Sequence, residues 1–398
     1  MEVSFVFLIA GIIILIGFFG GISFEKTKVP DVLVLLGIGV LLGPLFNLVK
    51  ADSLTHFAEY FGSLALMIIL FEGGMDMDID KLLKEFGTAS ILVLISFALS
   101  TLSISCLLYY VEGWDIIKSL LLGTILGCTS AAIVIPVIAQ MSLGAEIKTI
   151  LSIESAFSDV FAVIFTVSLI EFVKLETVGI ETPFKAVASS FSIAIVLGIL
   201  AGLLWLKVLD FFRNRKYSYM TTLAAMLIVF ASVNLLGGSG PIAILIFGII
   251  LGNCNDFSRF LKLRSCTIVD ESIKFLHGEV TFFIRTFFFV YMGMMISFNF
   301  IDLDFITLSF SLLLIILIIR YLSVGLTVLV YRSKRADRFV MMSMLPRGLA
   351  SAVLATLPVA ANITGSENFI DYTFAVIVLT NIIMTLGVFL VEKRLQLS

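Results

Sequence analysis

Two acidic residues lie in the middle of an apolar segment that is long enough to cross a bilayer. They are Glu154 and Asp159, in the segment 147–173. Placing an ionised carboxylate at membrane depth costs about 3 kcal/mol or more. Each acid is therefore expected either to pair with a basic residue or to lie on a path for ions or protons.

Hydroxyl groups around Asp159 indicate a site for a small cation. Ser155 and Asp159 share one stripe of a helix with Ser152, and carboxylate and hydroxyl oxygens suit a hard, dehydrated cation. The competing interpretation is that such hydroxyls only link helices, and it is weakest for Asp159, which has no evident partner on its own helix. The expected direct ligands of a monovalent cation are Asp159, Ser155 and Thr129. The full set expected to bind ions or protons is Asp159, Ser158, Ser155, Thr129 and Ser130.

Glu154 is expected to have a different role from Asp159. Five residues separate the two acids, so their side chains point about 140° apart around the helix. Arg320 and Arg347 lie within other apolar segments, and a buried acid paired with a base satisfies both groups. We favour Glu154–Arg320 as a structural ion pair, with Arg347 as a positive charge near a helix break. Arg347 as the partner of Glu154 is the alternative.

The composition predicts an all-α polytopic membrane protein. Of 398 residues, 60% are hydrophobic and 14% are charged, and the mean hydropathy is +1.14. A soluble domain of this length needs more surface charge, and no basic face suggests nucleic acid. A span needs about 20 apolar residues, which gives about thirteen spans. Their limits are 3–24, 31–49, 57–74, 87–111, 116–141, 147–173, 184–212, 218–236, 240–253, 278–299, 305–331, 337–362 and 370–390.

Basic residues predict the orientation of the chain in a cell membrane. Lys and Arg are concentrated in the connections after odd-numbered spans and in the tail. The positive-inside rule then places the N-terminus outside and the C-terminus in the cytoplasm. Since only about eight residues follow the last span, no soluble regulatory domain is expected.

Two spans are interrupted at matching positions. The fifth contains the stretch 127–131 followed by Pro136, and the twelfth contains the stretch 345–348. A matching pair of Gly/Pro-interrupted spans predicts an inverted-repeat transporter with its site where two broken helices cross. The competing explanation is that Gly and Pro are common in membrane helices. The expected division of this single membrane domain, 1–398, is repeat one at about 3–173, a linking span at 184–212 and repeat two at about 218–390.

Two features have plainer explanations than catalysis or metal binding. The stretch Gly237–Gly240 matches a short serine-protease pattern, but neither histidine lies at suitable depth in a later span to activate Ser239. We interpret this stretch as a backbone break before the ninth span. The cysteines lack metal-ligand spacing and are expected to be small apolar core residues. They are Cys106, Cys128, Cys254 and Cys266.

Taken together, several stretches resemble the monovalent cation:proton antiporter superfamily, chiefly its sodium/proton exchanger branch. They occur in the expected order over nearly the whole chain. They are KVPDVLVLLGIGVLLGP, LFEGGMDMD, GCTSAAIVIP, ESAFSD, GGSGPIAILIFGIILGN, RTFFFVYMGMMI and LPRGLASAV.

The resemblance implies a thirteen-span inverted repeat with two crossed discontinuous helices, and a homodimer in membrane lipid. It implies that Asp159 binds cation and proton, that Glu154 is the acid of a buried ion pair, and that Arg320 and Arg347 are the two membrane arginines. This sequence departs from the family pattern twice. Thr129-Ser130 replaces the usual Thr-Asp, and Ser158-Asp159 replaces the usual Asn-Asp, so potassium-efflux relatives are also useful guides to selectivity.

The predicted function is secondary active exchange of a monovalent cation, with Na⁺ favoured, for H⁺. One acid holds a proton or a cation but not both, so the two compete at Asp159 and the exchange is expected to be electroneutral. K⁺/H⁺ exchange of the potassium-efflux type is the main alternative. A cation channel, a sodium-coupled solute carrier and an intramembrane hydrolase follow. No enzyme activity and no cofactor is expected.

Overall fold

The structure is a computed structural model, and it describes residues 3–27, 29–46, 48, 52–77, 79, 89–141, 143–174, 181–211, 218–261, 271–296, 302–330 and 335–395. Within these residues the regular structure is helical throughout. The α-helices are α1 (Val3–Thr27), α2 (Asp31–Val40), α3 (Asp52–Asp76), α4 (Ala89–Tyr110), α5 (Ile116–Gly127), α6 (Ala131–Gln140), α7 (Ala145–Lys174), α8 (Glu181–Phe211), α9 (Ser218–Leu235), α10 (Gly240–Gly252), α11 (Cys254–Leu261), α12 (Glu271–Met294), α13 (Leu303–Val330), α14 (Arg335–Ser343), α15 (Leu349–Ala360) and α16 (Phe369–Leu395). A π-helical turn, Leu41–Leu45, continues α2.

The helices have the length and composition of a multi-pass membrane protein, which confirms that prediction. Five segments of the described residues are long and apolar enough to cross a membrane, and six shorter apolar helices accompany them. The thirteen-span count stays a prediction. The five segments are Ile116–Gln140, Ile147–Lys174, Ala188–Phe211, Leu303–Leu326 and Phe369–Val391.

The chain forms two compact units, each made of several stretches of sequence. Unit 1 consists of Met1–Gly62, Gly87–Leu169 and Arg285–Ser398. Unit 2 consists of Ser63–Phe86 and Ile170–Ile284. The predicted repeats divide the chain elsewhere, near residues 173 and 218, and that division stays a prediction.

Two helical segments of unit 1 are interrupted, in the places that the sequence indicates. The chain leaves helical geometry between α5 and α6 at Cys128–Ser130, with Cys128 extended. It does so again between α14 and α15, at residues 344–348. The crossing of these segments as an inverted repeat stays a prediction.

Close packing of α4 against α5 fixes the position of the first interruption. A Cβ atom at Gly123 would lie 2.8 Å from the Thr101 carbonyl oxygen, so only glycine allows α4 to approach this closely. Ser105 Oγ also donates to the Ser119 carbonyl, at 3.1 Å. The end of α5 is therefore held by packing inside unit 1.

Unit 2 is built around α10, which packs against α8 and the end of α3. A Cβ at Gly198 would lie 2.8 Å from the Ala243 carbonyl oxygen. Asn253, just after α10, donates to the Met77 carbonyl at 2.6 Å and accepts from the Ile79 N–H at 2.8 Å. The Gly237–Gly240 stretch leads into α10 and has Ser239 at the helix start, in keeping with a backbone break there.

The cysteines correct one expectation. Cys106 is exposed rather than buried, and Cys254 is disulfide-bonded. Cys128 is buried, but it lies at the first interruption beside polar groups rather than in a purely apolar core. Cys266 lies outside the described residues. Spacing alone carried no information on these environments, because each is set by long-range packing.

Candidate functional site

Two adjacent residues of α7 hold the first interruption. The Thr129 N–H donates to Ser158 Oγ at 3.0 Å. The Ser158 hydroxyl in turn donates to the carbonyls of Thr129, at 3.2 Å, and Ser155, at 3.0 Å. The Ala131 N–H donates to Asp159 Oδ2 at 3.0 Å. Helix ends leave backbone groups unpaired, so α7 supplies the partners that the broken helix lacks.

Asp159 has one oxygen bonded and one oxygen available. Its carboxylate lies at the start of α6, where the helix dipole favours negative charge. Its Oδ1 is buried and, among the described residues, has no hydrogen-bond partner. Arg347 acts on it electrostatically and the Cys128 thiol lies near it, yet no described basic group forms an ion pair with it. A half-buried carboxylate with one buried, unpartnered oxygen is a natural acceptor for a proton or a cation.

The second interruption is held by Arg347. Its Nε donates to the Leu126 carbonyl at 2.9 Å, and its Nη1 donates to the Leu345 carbonyl at 2.8 Å. Leu126 is in the last turn of α5, whose carbonyl end carries negative partial charge. The guanidinium therefore donates to one buried carbonyl at each interruption.

Two residues of α16 bond to the backbone of Arg347. The Arg347 N–H donates to Thr380 Oγ1 at 3.1 Å, and Asn381 Nδ2 donates to the Arg347 carbonyl at 2.9 Å. The interruptions also meet directly, because the Ser130 N–H donates to the Pro346 carbonyl at 2.9 Å. The two broken segments and their partners thus form one connected polar cluster inside unit 1.

Glu154 and Arg320 lie in direct contact. Arg320 Nη1 donates to Glu154 Oε1, and Arg320 Nε donates to the Met341 carbonyl at 2.7 Å. Both residues are buried, with exposures of 6% for Glu154 and 7% for Arg320. Arg347 Nε and Nη1 donate to backbone carbonyls instead. The geometry therefore favours Arg320 over Arg347 as the partner of Glu154.

The predicted hydroxyl residues are all near the first interruption but differ in what they contact. Ser155 Oγ donates within its own helix, to the Leu151 carbonyl at 2.9 Å. Ser130 packs against Gly348, where a Cβ atom would lie 2.7 Å from the Ser130 Cβ. Thr129 is held by its backbone through Ser158. Donation by Ser155 uses its hydrogen and leaves the lone pairs of its oxygen available to a cation.

A small polar cavity adjoins this cluster. Its volume, about 20 Å³ for the centre of a water-sized sphere, is enough for one or two water molecules. It connects the Glu154–Arg320 pair with Thr129 and Ser158. Arg320 Nη2 is buried without a partner among the described residues, so water in this cavity would satisfy it. Three further serines that the sequence did not single out line the cavity, namely Ser96, Ser100 and Ser323.

Sequence analysis did not identify four further residues of the cluster, which are Cys128, Ser351, Thr380 and Asn381. Cys128 Sγ lies 3.3 Å from Ser351 Oγ of α15. A signal for Thr380 and Asn381 was present, because a polar pair in the thirteenth predicted span corresponds to Ser158 and Asp159 in the sixth. The contact of Cys128 with Ser351 had no signal, because 223 positions separate the two residues.

Comparison with known proteins gives a family match across the chain. The sequence model of the family described as "Sodium/hydrogen exchanger, transmembrane" matches residues 11–393. A relative from Shewanella sp. (strain ANA-3), K(+)/H(+) antiporter NhaP2, is 27% identical over 369 residues, which is 89% of this chain and 61% of the relative. The chain thus spans about 61% of the length of the NhaP2 relatives.

The match to relatives from Methanocaldococcus jannaschii covers a larger share of the relative's length. Na(+)/H(+) antiporter 1 of Methanocaldococcus jannaschii is 26% identical over 340 residues, which is 83% of this chain and 78% of that protein. The solved structure of the sodium proton antiporter MjNhaP1 from the same organism, at pH 8, aligns with a TM-score of 0.79 at 23% identity and covers 97% of both chains. This chain shares its fold.

Proposed function

The chain belongs to the transmembrane sodium/hydrogen exchanger family, and we propose that it exchanges a monovalent cation for protons across a membrane at Asp159. The observation that carries the proposal is the buried Oδ1 of this carboxylate, which has no partner among the described residues. The relatives are transporters rather than enzymes. The residues around Asp159 are those of an ion site rather than of a catalytic triad.

Competition for one carboxylate accounts for exchange. Burial disfavours a bare charge, so the site is occupied either by a proton or by a cation. If only the occupied site moves between the two sides, cation and proton cross in opposite directions. The Asp159 carboxylate carries the exchange, with Thr129, Ser130, Ser155 and Ser158 as the surrounding oxygen groups.

We propose one-for-one, electroneutral exchange. Glu154 is bonded to Arg320 and Arg347 bonds to carbonyls, which leaves Asp159 as the acid that changes its occupant in this cluster. Glu154–Arg320 acts as a structural pair, and Arg347 supplies a fixed positive charge at the breaks. One charge moves in each direction, so an imposed membrane potential does not drive the exchange.

Na⁺ is the favoured cation, because the relative whose length this chain covers to 78% is named a Na⁺/H⁺ antiporter. K⁺ is the second candidate, and the ligand set argues for it. Ser130 replaces an acid of the family pattern, which removes a strong oxygen ligand and lowers the charge of the site. Relatives are named both as Na⁺/H⁺ and as K⁺/H⁺ antiporters. A weaker ligand field penalises the smaller and more strongly hydrated ion more, and this consideration favours K⁺.

The proposed setting is a cell membrane, with the N-terminus outside and the C-terminus in the cytoplasm, as the basic residues indicate. We also propose that the chain has the inverted repeat of its family and that it forms a homodimer. The contacts of Thr380 and Asn381 with the second interruption support the repeat, since Ser158 and Asp159 contact the first interruption in a similar manner.

Proton flux in proteoliposomes tests the proposal. A pH gradient is imposed, and its collapse is followed after addition of Na⁺, K⁺, Li⁺ or choline, with and without a membrane potential. Wild-type protein should respond to at least one alkali cation and not to choline, and the potential should leave the final gradient unchanged. Asp159→Asn should abolish the response, whereas Asp256→Asn, which changes an exposed acid, should keep it. Exchange in the Asp159→Asn variant at the wild-type rate would refute the site.

A further inference from the structure

Cys128 and Ser351 bring side chains of the two interruptions into contact, next to the backbone that Ser158 and Asp159 bond. Cys128 ends α5 and lies beside Asp159. Its Sγ is 3.3 Å from Ser351 Oγ, in the first turn of α15. Both residues are buried, with exposures of 1% for Cys128 and 0% for Ser351. The thiol and hydroxyl therefore join the first broken segment to the second.

Packing alone does not account for this arrangement. The Cys128 thiol reaches the Ile125 carbonyl at 3.7 Å and Ser351 Oγ at 3.3 Å, and both are weak bonds. The buried Asp159 Oδ1 of the same cluster has no hydrogen-bond partner within the described part of the chain. Buried polar groups are normally satisfied. A bound cation would give the free carboxylate oxygen its partner and would take the weakly bonded thiol and hydroxyl as further ligands.

We propose that Cys128 and Ser351 complete the ion site, so that the bound cation has one sulfur neighbour and oxygen ligands from both broken helices. The inference rests on the proposed exchange at Asp159 and concerns which cations the site takes. Sulfur is a soft ligand that binds hard cations poorly and soft monovalent metals such as Ag⁺ well. Cys128 is thus the specificity-determining residue, and Ser351 is a ligand supplied by the second half.

The first experiment measures selectivity. Proton flux is recorded against the concentrations of Li⁺, Na⁺ and K⁺ for wild type, Cys128→Ser and Cys128→Ala. A hydroxyl at position 128 is a harder ligand, so Cys128→Ser should improve the apparent KM for Li⁺ relative to K⁺ by about 5-fold. Cys128→Ala provides no ligand and should not produce this shift. The exposed Cys106→Ser substitution is the matched control and should leave the ratio unchanged.

The second experiment uses Ag⁺ as a probe of the thiol. Ag⁺ bonds to the Cys128 sulfur in place of the thiol proton, which leaves to solvent, and no electrons are transferred. Micromolar Ag⁺ should block wild-type flux, and excess K⁺ should protect, because both ions occupy one site. The protectable block should persist in Cys106→Ser and disappear in Cys128→Ala.

The third experiment addresses Ser351. Loss of one hydroxyl ligand in Ser351→Ala should raise the apparent KM for all alkali cations by about 5-fold with little change in maximal rate. Ser309→Ala, at a buried serine of α13, is the control. A purely structural Ser351 would lower the amount of folded protein and leave KM unchanged.

Two outcomes would overturn the inference while leaving the exchange proposal intact. One is a K⁺-protectable Ag⁺ block that survives in Cys128→Ala. The other is an unchanged Li⁺-to-K⁺ ratio in Cys128→Ser together with an unchanged KM in Ser351→Ala. In both cases the wild type exchanges cations for protons and Asp159→Asn does not. Failure of the exchange proposal would instead appear as wild-type protein without cation-dependent proton flux.

Discussion

At each interruption of unit 1, two adjacent residues of the following long helix bond to the broken backbone. Ser158 and Asp159 of α7 bond to the first, and Thr380 and Asn381 of α16 bond to the second. In both pairs the first residue is a hydroxyl that accepts from a backbone N–H. The pairs differ at the second residue, which is a carboxylate in one case and an amide in the other.

This single difference separates an ion site from a structural joint. Asp159 accepts from a helix N-terminus and keeps an unbonded oxygen, whereas Asn381 donates to a carbonyl through an amide that cannot ionise. Positive charge at the second interruption comes from Arg347, whose donors are directed at carbonyls. Similar hydrogen bonds thus hold both interruptions. The first has Asp159, whose charge can change, and the second has Asn381 and Arg347, whose charges stay constant.

Glu154 is the charged residue with a purely structural role in this comparison. Its loss should have the largest effect on stability. Glu154→Gln leaves Arg320 buried without its counter-charge, which should cost about 3–5 kcal/mol. Thermal unfolding in detergent should show a large drop in melting temperature, and a double-mutant cycle with Arg320→Met should show strong coupling. Glu279→Gln, at an exposed acid, is the control. Additive effects of the two substitutions would contradict the pairing.

Local helix geometry made part of this site predictable. The separation of Glu154 and Asp159 around α7 follows from their spacing of five residues, so two different environments could be expected. The partner of Glu154 could not be fixed in this way. Arg320 is 166 positions away, and the choice between it and Arg347 depends on how α13 packs.

Arg347 should be the next most sensitive position. Arg347→Met leaves the Leu126 and Leu345 carbonyls without their charged donor, which should cost about 3 kcal/mol. The same thermal measurement checks it, with Arg338→Met at an exposed arginine as the control. A variant with wild-type stability would show that the second interruption is not held by this guanidinium.

Residues that act through long-range contacts were beyond the reach of sequence reasoning. The interruptions themselves were readable, because Gly and Pro within apolar spans signal broken helices. That Cys128 faces Ser351 and that Arg347 bonds to Leu126 depends on where two distant segments meet, 223 and 221 positions apart. No pattern along the chain encodes such distances.

Asn381 should be less sensitive than Arg347. Asn381→Leu removes a neutral donor from the Arg347 carbonyl and should cost about 1–2 kcal/mol. Cation-dependent proton flux per folded molecule should stay close to wild type, since this amide does not exchange protons. Asn368→Leu, at an exposed position, controls for the change in size. Loss of flux with normal stability would make the second interruption part of the ion site. It would contradict the distinction between an ion site at the first interruption and a structural joint at the second.

Asp159→Asn should have the smallest effect on stability, although it removes transport. Asparagine keeps a side-chain oxygen that can accept from the Ala131 N–H, as Asp159 Oδ2 does at 3.0 Å. No described basic residue loses an ion-pair partner. The change in unfolding free energy should therefore be about 1 kcal/mol or less, which thermal unfolding of wild type and variant in choline buffer would measure. Addition of the transported cation should raise the melting temperature of the wild type alone, because only the wild type binds it. A loss of stability as large as that of Glu154→Gln would make Asp159 a structural acid, and the distinction between the two interruptions would then fail.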